Sequence, residues 1–148
     1  MTAETAMAAR QATGATMKTS RSSLNRHVGE LAGSSAFLMY LADAGNARLS
    51  LSQAAFFFLA ATGAIRGVPL TLFQIMEGAG SDALARSVKN TYKVFLEPSP
   101  RNPNGLGWLT REINPDDERE KLFTLTPKGE EVVRAALLAM APLDRANA

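Results

Sequence analysis

The sequence predicts a mainly helical α+β chain: four helices, a two-stranded β hairpin and a closing helix, in that order. Three observations carry the prediction. Apolar residues recur at three- and four-residue steps from Leu24 onward, the period of a helix with one buried face. Ser50 with Gln53, and Thr71 with Gln74, have the spacing of capping boxes, in which hydroxyl and amide side chains satisfy orphan backbone N–H groups at a helix start. Beyond Trp108 the period shortens to alternation on either side of Asn114-Pro115-Asp116-Asp117, a turn composition between strands.

The elements follow in order. Leu24, Val28, Leu31, Ser35 and Leu38 predict a first helix over about 24–42, and Gly45 and Asn46 stop it. Phe37, Met39, Tyr40 and Leu41 make its second half apolar nearly all round, which predicts packing on the core and on a partner subunit. Ser50 opens a second helix, about 51–62. Its Phe56-Phe57-Phe58-Leu59 run also suits a strand, but the cap, the alanines and Gly63 favour a helix whose aromatics are plain core. The Thr71 helix is short, with Leu70 and Ile75 placed to close a hydrophobic staple. Gly78-Ala79-Gly80 breaks it, and Ser81 caps a fourth helix running to about Leu96, ahead of Pro98. A Pro/Asn/Gly-rich loop, Glu97 to Gly105, leads to strands at Trp108–Ile113 and Lys121–Leu125. Thr126 caps the last helix, Pro127 takes its first position, and Val132, Val133, Ala136, Leu137 and Met140 form its apolar stripe.

With 148 residues, 46% hydrophobic and 20% charged, the chain suits one compact unit over 22–148 preceded by a disordered arm over 1–21. The absence of cysteine removes disulfides, thiolate metal sites and thiol redox chemistry. The single histidine, His27, is a poor basis for a metal cluster or a catalytic triad and is read as a partly exposed residue of the first helix. No paired carboxylates on one element and no phosphate loop appear, so no catalytic residue, cofactor or metal is expected. The longest apolar run, Ala54 to Ala61, falls short of the roughly 18 to 20 residues of a membrane span. The arm lacks the continuous apolar stretch of a secretory signal. A soluble, cytoplasmic protein is expected. The net charge of +2 is too mild to name a polyanionic partner, so the placement of charge has to decide.

That placement is most informative from Ser81 to Phe95. At 100° per residue Leu84, Val88, Tyr92 and Phe95 share one face, while Asp82, Arg86, Lys89, Asn90 and Lys93 lie opposite. Arg bidentate to guanine, Asn bidentate to adenine and Lys to phosphate are the donors that duplex recognition uses. Ser81, at a helix start where free N–H groups favour phosphate, and Ser87 complete the candidate set on this helix. A polar outer face is also what any exposed helix shows. The glycine turn before it and the hairpin after it add the context of a winged helix-turn-helix, which lays one helix in the major groove and a β wing at the minor groove.

The hairpin carries a more specific likeness. Asp117-Glu118-Arg119-Glu120-Lys121-Leu122-Phe123-Thr124-Leu125-Thr126-Pro127-Lys128-Gly129 resembles the wing and following helix start of the MarR family of bacterial transcriptional regulators, in the spacing of its Asp, Arg, Leu-Thr and Gly. Leu51-Ser52-Gln53, the Thr71 helix, Ser81 to Phe95 and Gly105-Leu106-Gly107-Trp108-Leu109 fall in the family's order, so the resemblance covers roughly 49–140. It implies a sequence-specific, homodimeric regulator of double-stranded DNA, a repressor by occupancy, with residues 81–96 in the major groove and the wing, 111–121, at the minor groove. It implies that Arg119, positioned by Asp117, enters the minor groove, with Arg111 and Lys121 flanking it. It also implies dimerisation through terminal helices, which here leans on the first helix, the Phe56 region and the residues after Glu130. Many family members bind small phenolic effectors in a cleft. The corresponding residues, Tyr40, Phe56, Phe57 and Trp108, read equally as ordinary core, and no effector is assigned. The loop from Glu97 to Gly105, with Arg101 inside it, is longer than the family's connection.

The segment from Arg111 to Lys121 holds five acids, Glu112, Asp116, Asp117, Glu118 and Glu120, against Arg111, Arg119 and Lys121. A wing acidic by count keeps a second reading open: a winged-helix adaptor that sequesters a protein partner.

Overall fold

A computed structural model describes residues 23–46, 48–78 and 80–141. The arm over 1–21, Ala79 of the glycine turn and the segment from Pro142 onward lie outside the described residues. A 3-10 turn, Asn25–His27, leads into α1, Val28–Ala44; α2 is Leu51–Ile65, α3 Leu72–Glu77 and α4 Asp82–Thr91, with a further 3-10 turn, Tyr92–Phe95, directly after it. Strands β1, Leu109–Asn114, and β2, Asp117–Leu125, form one antiparallel pair, and α5 runs Pro127–Met140. The chain is thus mainly helical with a two-stranded sheet. Among the described residues no helix is long and apolar enough to cross a membrane.

Both expected capping boxes form. Ser50 Oγ accepts from the Gln53 backbone N–H at 3.1 Å while Gln53 Oε1 accepts from the Ser50 N–H at 2.7 Å, and Thr71 with Gln74 repeats the exchange at 3.1 and 2.9 Å. Each reciprocal pair satisfies two donors that would otherwise be orphaned. Ser81 Oγ accepts from Leu84 N–H at 3.1 Å and opens α4. Gly80, just before it, has φ +80°, a conformation that L side chains disfavour, so the glycine is what lets α3 and α4 join so closely.

The core is a set of aromatic rings drawn from elements far apart in sequence. Phe56 and Phe57 from α2, Phe95 from the 3-10 turn, Trp108 and Phe123 are all buried to within 1%. Phe57 meets Trp108 edge-on with centroids 5.1 Å apart and stacks on Phe95 at 5.4 Å; Phe56 meets Phe123 edge-on at 5.3 Å. The plain-core reading of the α2 aromatics therefore holds. Phe56 and Phe57 themselves present almost no surface. The cleft between α1 and the start of α5 keeps Tyr40 and Trp108 and is otherwise lined by Ala44, Pro127, Lys128, Glu131 and Val132.

Several boundaries differ from expectation. α4 stops at Thr91 instead of running to Leu96, and the chain tightens into 3-10 geometry. The backbone N–H groups of Leu106, Gly107 and Trp108 reach back to the carbonyls of Val94, Leu96 and Phe95 at 2.7, 3.1 and 2.8 Å, partners that lie outside the helix. β2 begins at Asp117 instead of Lys121, leaving Pro115 and Asp116 as the turn, with Asn114 Oδ1 accepting from Asp116 N–H at 3.0 Å. α2 continues to Ile65, one turn past the expected end. The hairpin is tied to the helices beyond its aromatic contacts: Phe123 N–H donates to Leu70 O at 3.0 Å beside a bridge between Thr71 and Leu122.

Candidate nucleic-acid interface

The apolar side of α4 packs as its periodicity requires, with Val88 and, on the following turn, Phe95 buried and Leu84 and Tyr92 partly so. Burying that side forces the other outward, and Asp82, Arg86, Lys89, Asn90 and Lys93 are all exposed. Among the described residues the close contacts between acidic and basic side chains are the His27 Nδ1 hydrogen bond with Glu30 Oε2 at 3.2 Å and the ion pair of Glu130 with Arg134 at 3.5 Å. No carboxylate among them neutralises the α4 cations.

Two residues assigned to this face do other work. Ser81 commits its hydroxyl oxygen to the α4 cap. Ser87 is half-buried, its Oγ sharing a hydrogen bond at 3.1 Å with Ser52 Oγ of α2 and its carbonyl accepting from Thr91 Oγ1 at 2.6 Å. Ser87 thus sits at the contact between α2 and α4, off the exposed face, as its angular offset from Arg86 and Lys93 allows.

The hairpin sorts its charges by strand parity. Cross-strand partners share a sheet face, and the register pairs Leu109 with Leu125, Arg111 with Phe123 and Ile113 with Lys121. Arg111 and Lys121 therefore continue the core-facing side outward, toward α4, while Glu112 stands on the opposite face, where Thr124 Oγ1 donates to its Oε1 at 3.5 Å. The register is interrupted between Ile113 and Asn114, so residues 118–120 bulge out of β2. Arg119, of the same odd parity as Lys121 and Phe123, lines the groove with Arg111. Asp117 supports it through the backbone: its Oδ1 accepts from the Arg119 backbone N–H at 3.0 Å. The carboxylate shapes the bulge and leaves the guanidinium exposed.

The result is a groove of about 490 Å³ between α3–α4 and the hairpin. Lys89 lines it from the helix and Arg111, Arg119 and Lys121 from the hairpin, with Glu120 as the single acid; Phe73, Met76 and Tyr92 form the apolar part of its wall. Arg111 Nη1 donates to Tyr92 Oη at 3.4 Å, fixing one cation against the helix. A hairpin that is acidic by count therefore turns a cationic side to α4. The groove-lining Phe73 and Met76 are not singled out by the sequence. Tyr92 had been placed on the packing face, which accounts for its ring but not its hydroxyl.

Comparison of the chain with models of protein families, with curated proteins and with solved structures returned no match.

Proposed function

We propose that this chain is a winged helix-turn-helix regulator of the MarR type: a sequence-specific, homodimeric DNA-binding protein that represses transcription by occupying its site. Residues 81–96 enter the major groove of the duplex, and the hairpin is the wing, reaching the minor groove with Arg119. One observation carries the reading: Lys89 on α4 and Arg111, Arg119 and Lys121 on the hairpin line one open groove, unpaired by carboxylates among the described residues. Two cationic elements meeting at an angle suit a polyanion that presents a groove and its backbone together. The glycine turn, the Ser81 cap and the single bridge from Thr71 to the hairpin are what a helix pair with an attached wing requires. The dimer is proposed through α1 and α5, which carry exposed apolar side chains including Leu31, Met39 and Leu138.

Gel-shift titrations test the assignment. Arg86→Ala should relax sequence preference, since a bidentate base contact contributes about 1 to 3 kcal/mol of discrimination. Lys93→Ala should weaken all duplexes alike and flatten the salt dependence. If neither variant alters binding, α4 is not the reading element.

The acidic outer side of the hairpin, Glu112 with the exposed Asp116 and Glu118, favours a protein-contact adaptor as the second reading. Capture of a defined protein partner by a chain with no duplex affinity at low salt would select it.

A further inference from the structure

The loop from Glu97 to Gly105 has no part in the expected helix-plus-wing interface, yet it is held in place at nearly every turn. Asn102 Nδ2 donates to Lys93 O at 2.7 Å and to Glu97 O at 3.4 Å, closing the loop onto the carbonyl end of the 3-10 turn. Ser99 and Asn102 exchange backbone hydrogen bonds at 3.1 and 2.9 Å, and Gly105 N–H donates to Asn102 O at 3.1 Å. At Gly105 a Cβ would collide with Leu96 O and come within 2.7 Å of Asn102 Nδ2, so the chain can return to β1 along this path only with glycine there. Such fixation is not explained by core burial, because Ser99, Pro100 and Arg101 are all exposed.

What the loop does is hold Arg101 beside other cations. Lys93, Arg101 and Arg111 line a second groove of about 460 Å³, with Glu97 its only acid. Arg101 is in no ion pair among the described residues. Arg111 lines this groove and the first one alike, so the two adjoin at its side chain, with Arg119, Lys89 and Lys121 on one side of it and Lys93 and Arg101 on the other. A charge held on a pre-ordered loop loses less side-chain and backbone freedom on binding than one on a slack loop. The loop also presents hydroxyl, amide and guanidinium donors, the groups that contact phosphate and sugar.

We infer that the loop from Glu97 to Gly105 is a third DNA-contacting element, in which Arg101 binds the sugar–phosphate backbone of the duplex held by α4 and the hairpin. The inference rests on the duplex-binding reading above and extends the footprint beyond that reading's two elements.

The test is fluorescence-anisotropy titration of the full chain, Arg101→Ala and Arg101→Lys, on one fixed 30-base-pair duplex and on a scrambled duplex, between 50 and 200 mM salt. Loss of one phosphate contact lowers the slope of log affinity against log salt by about 0.9. The wild-type advantage over Arg101→Ala should therefore shrink by about 3.5-fold across that fourfold salt range, equally on both duplexes, and Arg101→Lys should keep the wild-type slope. Wild-type binding with an unchanged slope in Arg101→Ala overturns the loop contact alone. A Lys variant as flat as the Ala variant overturns the charge-based role. A wild-type chain that binds neither duplex overturns the loop contact together with the reading on which it rests.

Discussion

Phe123 is the residue through which the hairpin is fastened to the helices, and replacing it with alanine should loosen that joint measurably. The ring is 1% exposed and meets Phe56 edge-on at 5.3 Å and Tyr92 edge-on at 5.6 Å. Phe-to-Ala changes at buried sites cost about 3 to 5 kcal/mol, the transfer term plus the cavity left behind. Edge-on aromatic pairs contribute about 0.5 to 1.5 kcal/mol each beyond area, and two such pairs place this site around 4 kcal/mol, inside that range. A denaturant slope of about 1.5 kcal/mol per M in urea converts the loss into a midpoint lower by about 2 to 3 M. The chain has one tryptophan, Trp108, itself 1% exposed and packed on Phe57 and Phe95, so its emission reports unfolding without a label. A midpoint that falls by less than about 0.5 M would refute the claim that this ring joins hairpin to helices.

Two other perturbations test separate parts of the structure. Thr71 is both the cap of α3 and the bridge partner of Leu122; Thr71→Ala should cost about 1 kcal/mol in urea unfolding, and Thr71→Ser should recover most of it. Met39 and Leu138 are 71% and 75% exposed, so Met39→Glu with Leu138→Glu should convert a sedimenting dimer to monomer while leaving the unfolding midpoint of the monomer unchanged. A dimer that persists would move the subunit contact elsewhere.

Much of the helical part was legible in sequence because its signals are local. Ser50 with Gln53 and Thr71 with Gln74 specify helix starts through atoms three residues apart, and the Leu84–Val88–Tyr92–Phe95 stripe specifies which side of α4 packs. The errors cluster where distant partners decide. α4 ends at Thr91, and past the 3-10 turn the backbone N–H groups of 106–108 take the carbonyls of 94–96, a pairing that nothing in 81–96 announces. Asn114 to Asp117 reads as a turn by composition and the second strand as starting at Lys121, and pairing with β1 draws the strand's start back to Asp117. Counting charges on the hairpin gives its total and not the sign of the side facing α4. The corrective signal was present in the alternation, since Arg111 shares parity with Leu109, and Lys121 with Phe123, while Glu112 does not. Ser87 lies about 100° round the helix from Arg86 and turns to Ser52 instead of the exposed face. Asp117 does meet Arg119, and it does so through the backbone N–H.

Selection of duplexes from a random oligonucleotide pool by the full chain at low salt puts the cationic groove to its hardest test. A homodimer reading through α4 and the hairpin should enrich an inverted repeat whose half-sites lie about one helical turn, ~10 base pairs, apart or a multiple of it. Retention of no duplex, even at low salt, would contradict a DNA-binding role for Lys89, Arg111, Arg119 and Lys121.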